Sequence, residues 1–258
     1  MEFIDTHCHL YCDEFETDRE ETIERAKKVG ICNIILPAID SLSTSNQQRL
    51  YQSDPTYFKQ MIGVHPTSIN DSYEIELQKA ESLLLKFADQ YVAIGEIGLD
   101  LYWDISYKEQ QIQALNKQLD WAETTQKPVC IHIRKAHNEM FGLFKQRNRR
   151  TCSGVLHCFS GSIQDAHHAT EMGLYLGIGG VLTYKNAATL PEIVKCIPLE
   201  HLLLETDAPY LSPVPYRGKR NESSYMTEVA KKIAEIKEIP IEKVAEQTSH
   251  NARSLFNI

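Results

Sequence analysis

Imidazoles and carboxylates recur in this chain at places where an extended segment gives way to a turn. His7 and His9 stand two apart in Asp5-Thr6-His7-Cys8-His9, and His65 lies in Gly63-Val64-His65-Pro66. Glu96 opens Glu96-Ile97-Gly98-Leu99-Asp100, and His132 lies in Ile131-His132-Ile133-Arg134. His157 begins His157-Cys158-Phe159-Ser160, and Asp207 lies in Glu205-Thr206-Asp207-Ala208-Pro209. A single histidine of this kind is more often a hydrogen-bonded structural residue than a ligand. Five of them meeting a Glu and an Asp is another matter, because an apolar environment holds such a group only with a cation or dense hydrogen bonding to compensate. In an extended chain His7 and His9 point to one side and Cys8 to the other. Cys130 and Cys158 are expected to point away from His132 and His157, into the helix layer, as packing residues.

These residues can meet only if the right elements carry them. Short β-rich runs are read at Glu2–Asp5, Asn33–Pro37, Phe58–Val64, Val92–Gly95, Val129–Ile133, Gly154–His157, Leu174–Ile178 and His201–Glu205. Several are nearly unbroken apolar runs, the pattern of strands buried on both faces. Between them apolar residues recur at helical spacing: Leu77, Ala80, Leu84 and Phe87; Ile112, Leu115, Leu119 and Ala122; Met226, Val229, Ala230, Ile233 and Ile236. Eight strands, each followed by a helix, predict a (β/α)8 TIM barrel forming a single domain over 1–258. An open doubly wound sheet has the same alternation, but no glycine-rich phosphate loop follows the first strand. The polar residues also gather at the C-terminal ends of six of the eight strands, the catalytic face of a barrel.

Composition narrows the class. The 258 residues are 42% apolar and 24% charged, which excludes a disordered chain. No run approaches the ~18 apolar residues of a membrane span. The N-terminus carries acids where a secretory signal carries Lys or Arg, so a cytoplasmic protein without membrane attachment is expected. Seven cysteines, an odd number, read as reduced thiols. A net charge of −8 speaks against a general electrostatic grip on nucleic acid, although a local metal cluster can reverse the sign where it matters.

With these residues in view, the chain resembles the TatD family of metal-dependent deoxyribonucleases, a branch of the amidohydrolase-like barrels. The likeness runs nearly end to end through IDTHCHL, IGVHP, IGEIGLD, PVCIHIR, LHCFSG and LLETDAPYLSPVPYRGKRNE, the last being the most diagnostic. The stretch Ser249–Phe256 fits the family only loosely. The resemblance implies that His7, His9, Glu96, His132, His157 and Asp207 bind two divalent metal ions, with Glu96 bridging. No Lys stands at that strand end, so the carboxylated lysine of some relatives is not needed. Four imidazoles and two carboxylates suit Zn, Mn, Fe or Co better than Mg, although the family permits Mg.

The expected reaction is hydrolysis of DNA phosphodiester bonds, exonucleolytic and on single strands, with no obligate protein partner. Asp207 is the candidate general base. Glu205, two residues earlier on the same face, either orients a ligand or joins the ligands. Arg217, Lys219 and Arg220 follow the last strand and are candidates for phosphate contact, as are His65 and Arg134. Tyr102 and Trp103 offer faces on which a base can stack, but packing is the preferred reading for them. Two other functions use the same residues: an amidohydrolase cleaving a C–N or carboxylic ester bond, and a non-catalytic metal-binding scaffold.

Overall fold

Runs such as Asn33–Leu36 and Val129–Ile133, apolar at nearly every position, need cover on both faces, and a closed parallel sheet inside a ring of helices supplies it. The computed structural model describes residues 1–147, 153–187 and 189–258. The strands are β1 (Phe3–Asp5), β2 (Ile31–Leu36), β3 (Phe58–Ile62), β4 (Tyr91–Asp100), β5 (Val129–Arg134), β6 (Gly154–Leu156), β7 (Leu174–Ile178) and β8 (Leu202–Leu204). They pair in parallel in chain order from β1 to β8. The helices are α1 (Arg19–Lys28), α2 (Thr44–Ser53), α3 (Tyr73–Lys86), α4 (Lys108–Thr125), α5 (His137–Gln146), α6 (Ile163–Glu171), α7 (Leu190–Cys196), α8 (Met226–Lys237) and α9 (Ile241–Phe256). Leu77, Ala80 and Leu84 of α3, Leu115 and Leu119 of α4, and Val229 and Ile233 of α8 are buried, so the helical spacing marks the inward faces. The fold is the (β/α)8 barrel expected from the sequence, and no helix among the described residues is long and apolar enough to cross a membrane.

Closure of the barrel is a polar device. The segment after β1 runs beside the segment after β8, with Thr6 N donating to Leu204 O at 3.1 Å, Asp207 N to His7 O at 2.9 Å and His9 N to Ala208 O at 2.8 Å. The buried Asp5 carboxylate staples this seam. It accepts from Thr206 N at 3.0 Å and from Thr206 Oγ1 at 2.7 Å. Burial pushes its carboxyl up to about 7, against the pull of the Thr206 hydroxyl.

Inside the barrel an apolar layer lies beneath the mouth. Ile4, Ile35, Met61, Ala93, Cys130, Val155 and Leu203 form it, and Ala252, Leu255 and Phe256 of α9 close it from the N-terminal end. Cys130 therefore faces the barrel interior rather than the helix layer. It precedes His132 by two residues, and the strand alternation that turns His132 inward turns Cys130 inward too.

Replacing Asp5 with Ala leaves the Thr206 amide and hydroxyl without their buried acceptor. The expected cost is about 1–3 kcal/mol, read as a lower midpoint in urea unfolding. An unchanged midpoint refutes the seam's dependence on Asp5.

Candidate metal centre

The period of two along a strand sets which residues reach the mouth. His7 and His9 lie just beyond β1, so alternate side chains at its C-terminal end enter from one side. β4 is longer than the sequence suggests, running to Asp100 rather than stopping at Gly95. Its register against β5 shifts between Ile94 and Ile97, a bulge of the sort that re-aims a side chain, and Glu96 sits within it. Gly98 lies opposite His132 with φ at +150°, and a Cβ there would fall 1.9 Å from His132 O. The second glycine of the IGEIGLD stretch is thus what lets β4 pass His132 closely. Gly177 on β7 plays a similar part, since a Cβ at that position would stand 2.3 Å from the Glu205 carboxylate.

The side chains converge. His7 Nε2 lies 3.2 Å from His9 Nε2 and 3.0 Å from Glu96 Oε2. Asp207 Oδ1 is 3.6 Å from His9 Nε2, 3.7 Å from His7 Nε2 and 3.8 Å from His157 Nε2. The other Glu96 oxygen, Oε1, faces a different set: His132 Nδ1 at 2.8 Å, His65 Nε2 at 3.2 Å and His157 Nε2 at 3.6 Å. Four overlapping groups of ligand atoms among the described residues are each compact enough to hold an ion: His7, His9 and Asp207; His7, His157 and Glu205; His65, Glu96 and His132; and His157, Cys158 and Asp207. His65, read from the sequence as a phosphate contact, thus sits within ligand distance of the cluster.

The outer nitrogens have partners, of which the sequence reading named Glu205 and overlooked the others. Tyr11 donates its hydroxyl proton to Pro37 O at 2.7 Å, so at 2.9 Å its oxygen accepts from His9 Nδ1. That assignment leaves a lone pair on His9 Nε2, directed at the other ligand atoms. Asp100 Oδ2 lies 3.0 Å from His132 Nε2, which turns His132 Nδ1 toward Glu96. Glu205 Oε1 stands 3.2 Å from His157 Nδ1 and accepts from Cys158 N at 2.6 Å. Beneath the cluster, Cys130 Sγ lies 3.4 Å from His7 Nδ1. A signal for two of these partners was present in the sequence. Tyr11 continues the alternation of His7 and His9, and Asp100 continues that of Glu96 and Gly98.

Electrostatics follow from this crowding. Burial opposes charge on Glu96, but His65, His7 and His157 outweigh it and hold the carboxyl well below its ordinary range. Asp207 is lowered as well, with His157 and His9 overcoming its burial. Burial also opposes charge on His157, yet Glu205, Glu96 and Asp207 lift it to about 10. Burial, reinforced by His157, pushes His7 below its usual value. Ionised carboxylates and facing imidazole lone pairs packed at 3–4 Å are the arrangement a divalent cation relieves, so the donor set fits metal.

Above the cluster lies a cavity of about 630 Å³, its lining including His65, Trp103, Arg134, Cys158 and Tyr210. Cys158 lines this space instead of the helix layer because it lies past the end of β6. Its φ of +45° turns the chain and swings the side chain back toward the mouth. Arg217, Lys219 and Arg220 are not among the lining residues. Arg220 is committed elsewhere, with Nη1 and Nη2 each 2.7 Å from an oxygen of Asp18. This pairing holds the Asp18 carboxyl at about 2. Arg217 lies over the Tyr184 ring at 3.9 Å.

Replacing Tyr11 with Phe or Asp100 with Asn removes a partner that orients an imidazole, without touching the groups that face inward. Each change is expected to weaken Mn²⁺ or Zn²⁺ binding by about 10- to 100-fold in calorimetric titration. Wild-type affinity in both variants refutes the orienting role.

The sequence profile of the family described as TatD related DNase matches residues 4–257. The chain is 39% identical to an uncharacterized metal-dependent hydrolase of Bacillus subtilis, YabD, over 99% of both chains. The crystal structure of YjjV, a TatD homolog from Escherichia coli, superposes with a TM-score of 0.92 at 32% identity, covering 99% of this chain and 98% of that one. A TatD family hydrolase from Entamoeba histolytica gives a TM-score of 0.87 at 25% identity, covering 99% and 98%. Barrel, ligand-rich mouth and whole-length likeness agree: the chain belongs to the TatD family of metal-dependent hydrolases.

Proposed function

We propose that this hydrolase is a deoxyribonuclease. It would release nucleotides from the ends of single DNA strands in the cytoplasm, using two divalent cations whose identity the donor set leaves among Zn, Mn, Fe, Co and Mg. One observation supports the two-ion hydrolytic centre on which the reading rests: the two oxygens of Glu96 face different sets of imidazoles, so Glu96 would be the residue able to serve both ions. On this reading His7, His9, His132, His157 and Asp207 supply the remaining ligands, and the nearness of His65 to Glu96 supports adding it to them. The family's description as a DNase supports the choice of substrate.

Bound divalent ions supply Lewis acidity toward the phosphoryl oxygens and toward water. The chain's own residues do the rest. Asp207, held ionised by the imidazoles around it, accepts the proton of the attacking water at its carboxylate. The water oxygen bonds to phosphorus as the ester P–O bond breaks, and the departing oxygen takes up a proton, returned from Asp207 or drawn from solvent, to leave as an alcohol beside a phosphate monoester. Glu205 and Asp100 fix the His157 and His132 rings from behind, and on this reading Arg134, which lines the cavity, neutralises a non-bridging oxygen.

A second reading has one observation in its favour. Because the 217–220 loop cations lie outside the cavity lining, the site is less basic than its sequence suggests, and an uncharged amide or carboxylic ester is a plausible electrophile for the same centre.

The test is release of nucleotides from an end-labelled oligonucleotide across a panel of divalent ions, with amide and ester substrates in parallel. Nucleotide release is expected to stop with a chelator and to fall by about 10²- to 10⁴-fold in Asp207→Asn at unchanged melting temperature. Intact oligonucleotide across the whole panel refutes the nuclease reading. Turnover of an amide or ester under those conditions establishes the second.

A further inference from the structure

The rim of the cavity holds aromatic side chains that are largely open to solvent. Trp103 is 70% exposed and Tyr102 52% exposed, on the loop between β4 and α4, so neither is the packing residue its sequence position suggests. Trp103 nonetheless lines the cavity above the cluster. Arg134 sits beside both rings, its guanidinium 3.9 Å from the Tyr102 centroid and 5.1 Å from that of Trp103. Tyr210, half exposed, also lines the cavity, on the loop that follows Asp207.

This loop is tied to the metal-facing groups. Asp100 Oδ1 accepts from Tyr102 N at 2.9 Å and Trp103 N at 3.4 Å, while its Oδ2 lies 3.0 Å from His132 Nε2. Leu101 N donates to Arg134 O at 2.9 Å. The rings, the guanidinium and His132 are therefore held in one frame, although the rings themselves face solvent. An exposed indole fixed over a charged pit offers a flat π surface and a cation to one ligand at once.

Resting on the phosphodiesterase reading above, we propose that Trp103, with Tyr102 and Arg134, is a stacking subsite for the base of an unpaired nucleotide whose phosphodiester lies at the Glu96–Asp207 cluster. A cavity of about 630 Å³ has the size of a small-ligand pocket, enough for a nucleotide at a strand end. Bases within a duplex are already stacked and paired, whereas an unpaired base presents a free face. Because every base has such a face, the subsite selects for single strands without reading their sequence.

The test uses two oligonucleotides that differ only at their ends, one with ordinary nucleotides and one with abasic tetrahydrofuran residues. The expected result is a wild-type preference in kcat/KM of roughly 5- to 150-fold for the base-bearing ends. That preference is expected to collapse toward one in Trp103→Ala and to return in Trp103→Phe. Equal wild-type rates on the two strands, or an undiminished preference in Trp103→Ala, overturn the stacking subsite while leaving the hydrolase reading intact. A wild-type enzyme that cleaves neither strand overturns the phosphodiesterase reading and the subsite with it.

Discussion

A buried carboxylate ringed by imidazoles is the constraint on which the molecule turns. Glu96 has lost its water to the barrel interior, and what keeps it ionised is the ring of histidines at hydrogen-bonding and ion-pair distance. Those histidines have the reciprocal problem, since nitrogens facing one another at close range favour neither neutrality nor full protonation. The fold resolves part of this by giving the outer nitrogen of each a neighbour: Tyr11 for His9, Thr67 for His65, Asp100 for His132, Glu205 for His157 and Cys130 for His7. What remains unresolved is concentrated at one point. On the reading proposed above, that point is where a cation would bind.

The rest of the architecture serves that concentration. Parallel strands bring their C-terminal ends to one mouth, and the seam stapled by Asp5 and Thr206 keeps the segments bearing His7, His9 and Asp207 side by side. Close approach is bought locally by glycine, at Gly98 against His132 and at Gly177 against Glu205. Beneath the polar layer, apolar side chains from the strands and from α9 fill the barrel, so the charged groups rest on a dry floor that lowers the local dielectric.

Much of this was legible in the residue order, and the failures are instructive. The barrel and the meeting of strand-end histidines with Glu96 and Asp207 follow from alternation and from apolar runs of strand length. Cys130 was misplaced by miscounting that same alternation, which puts it on the face of His132. Cys158 was unreadable for another reason: its orientation depends on a left-handed residue beyond the strand, which no periodicity announces. Arg220 looked free to meet a phosphate because its local sequence says nothing of Asp18, which lies far away along the chain yet holds its guanidinium in a two-pronged pair. Partners that come from distant segments are where reading along a chain runs out.

The plug formed by α9 has a consequence for traffic. Because Leu255 and Phe256 seal the far end, the barrel is a blind well rather than a tunnel, and nothing threads through it. Whatever is cut at the bottom leaves by the doorway through which the next molecule arrives. Departure and arrival therefore share one opening, and the mouth alone handles both.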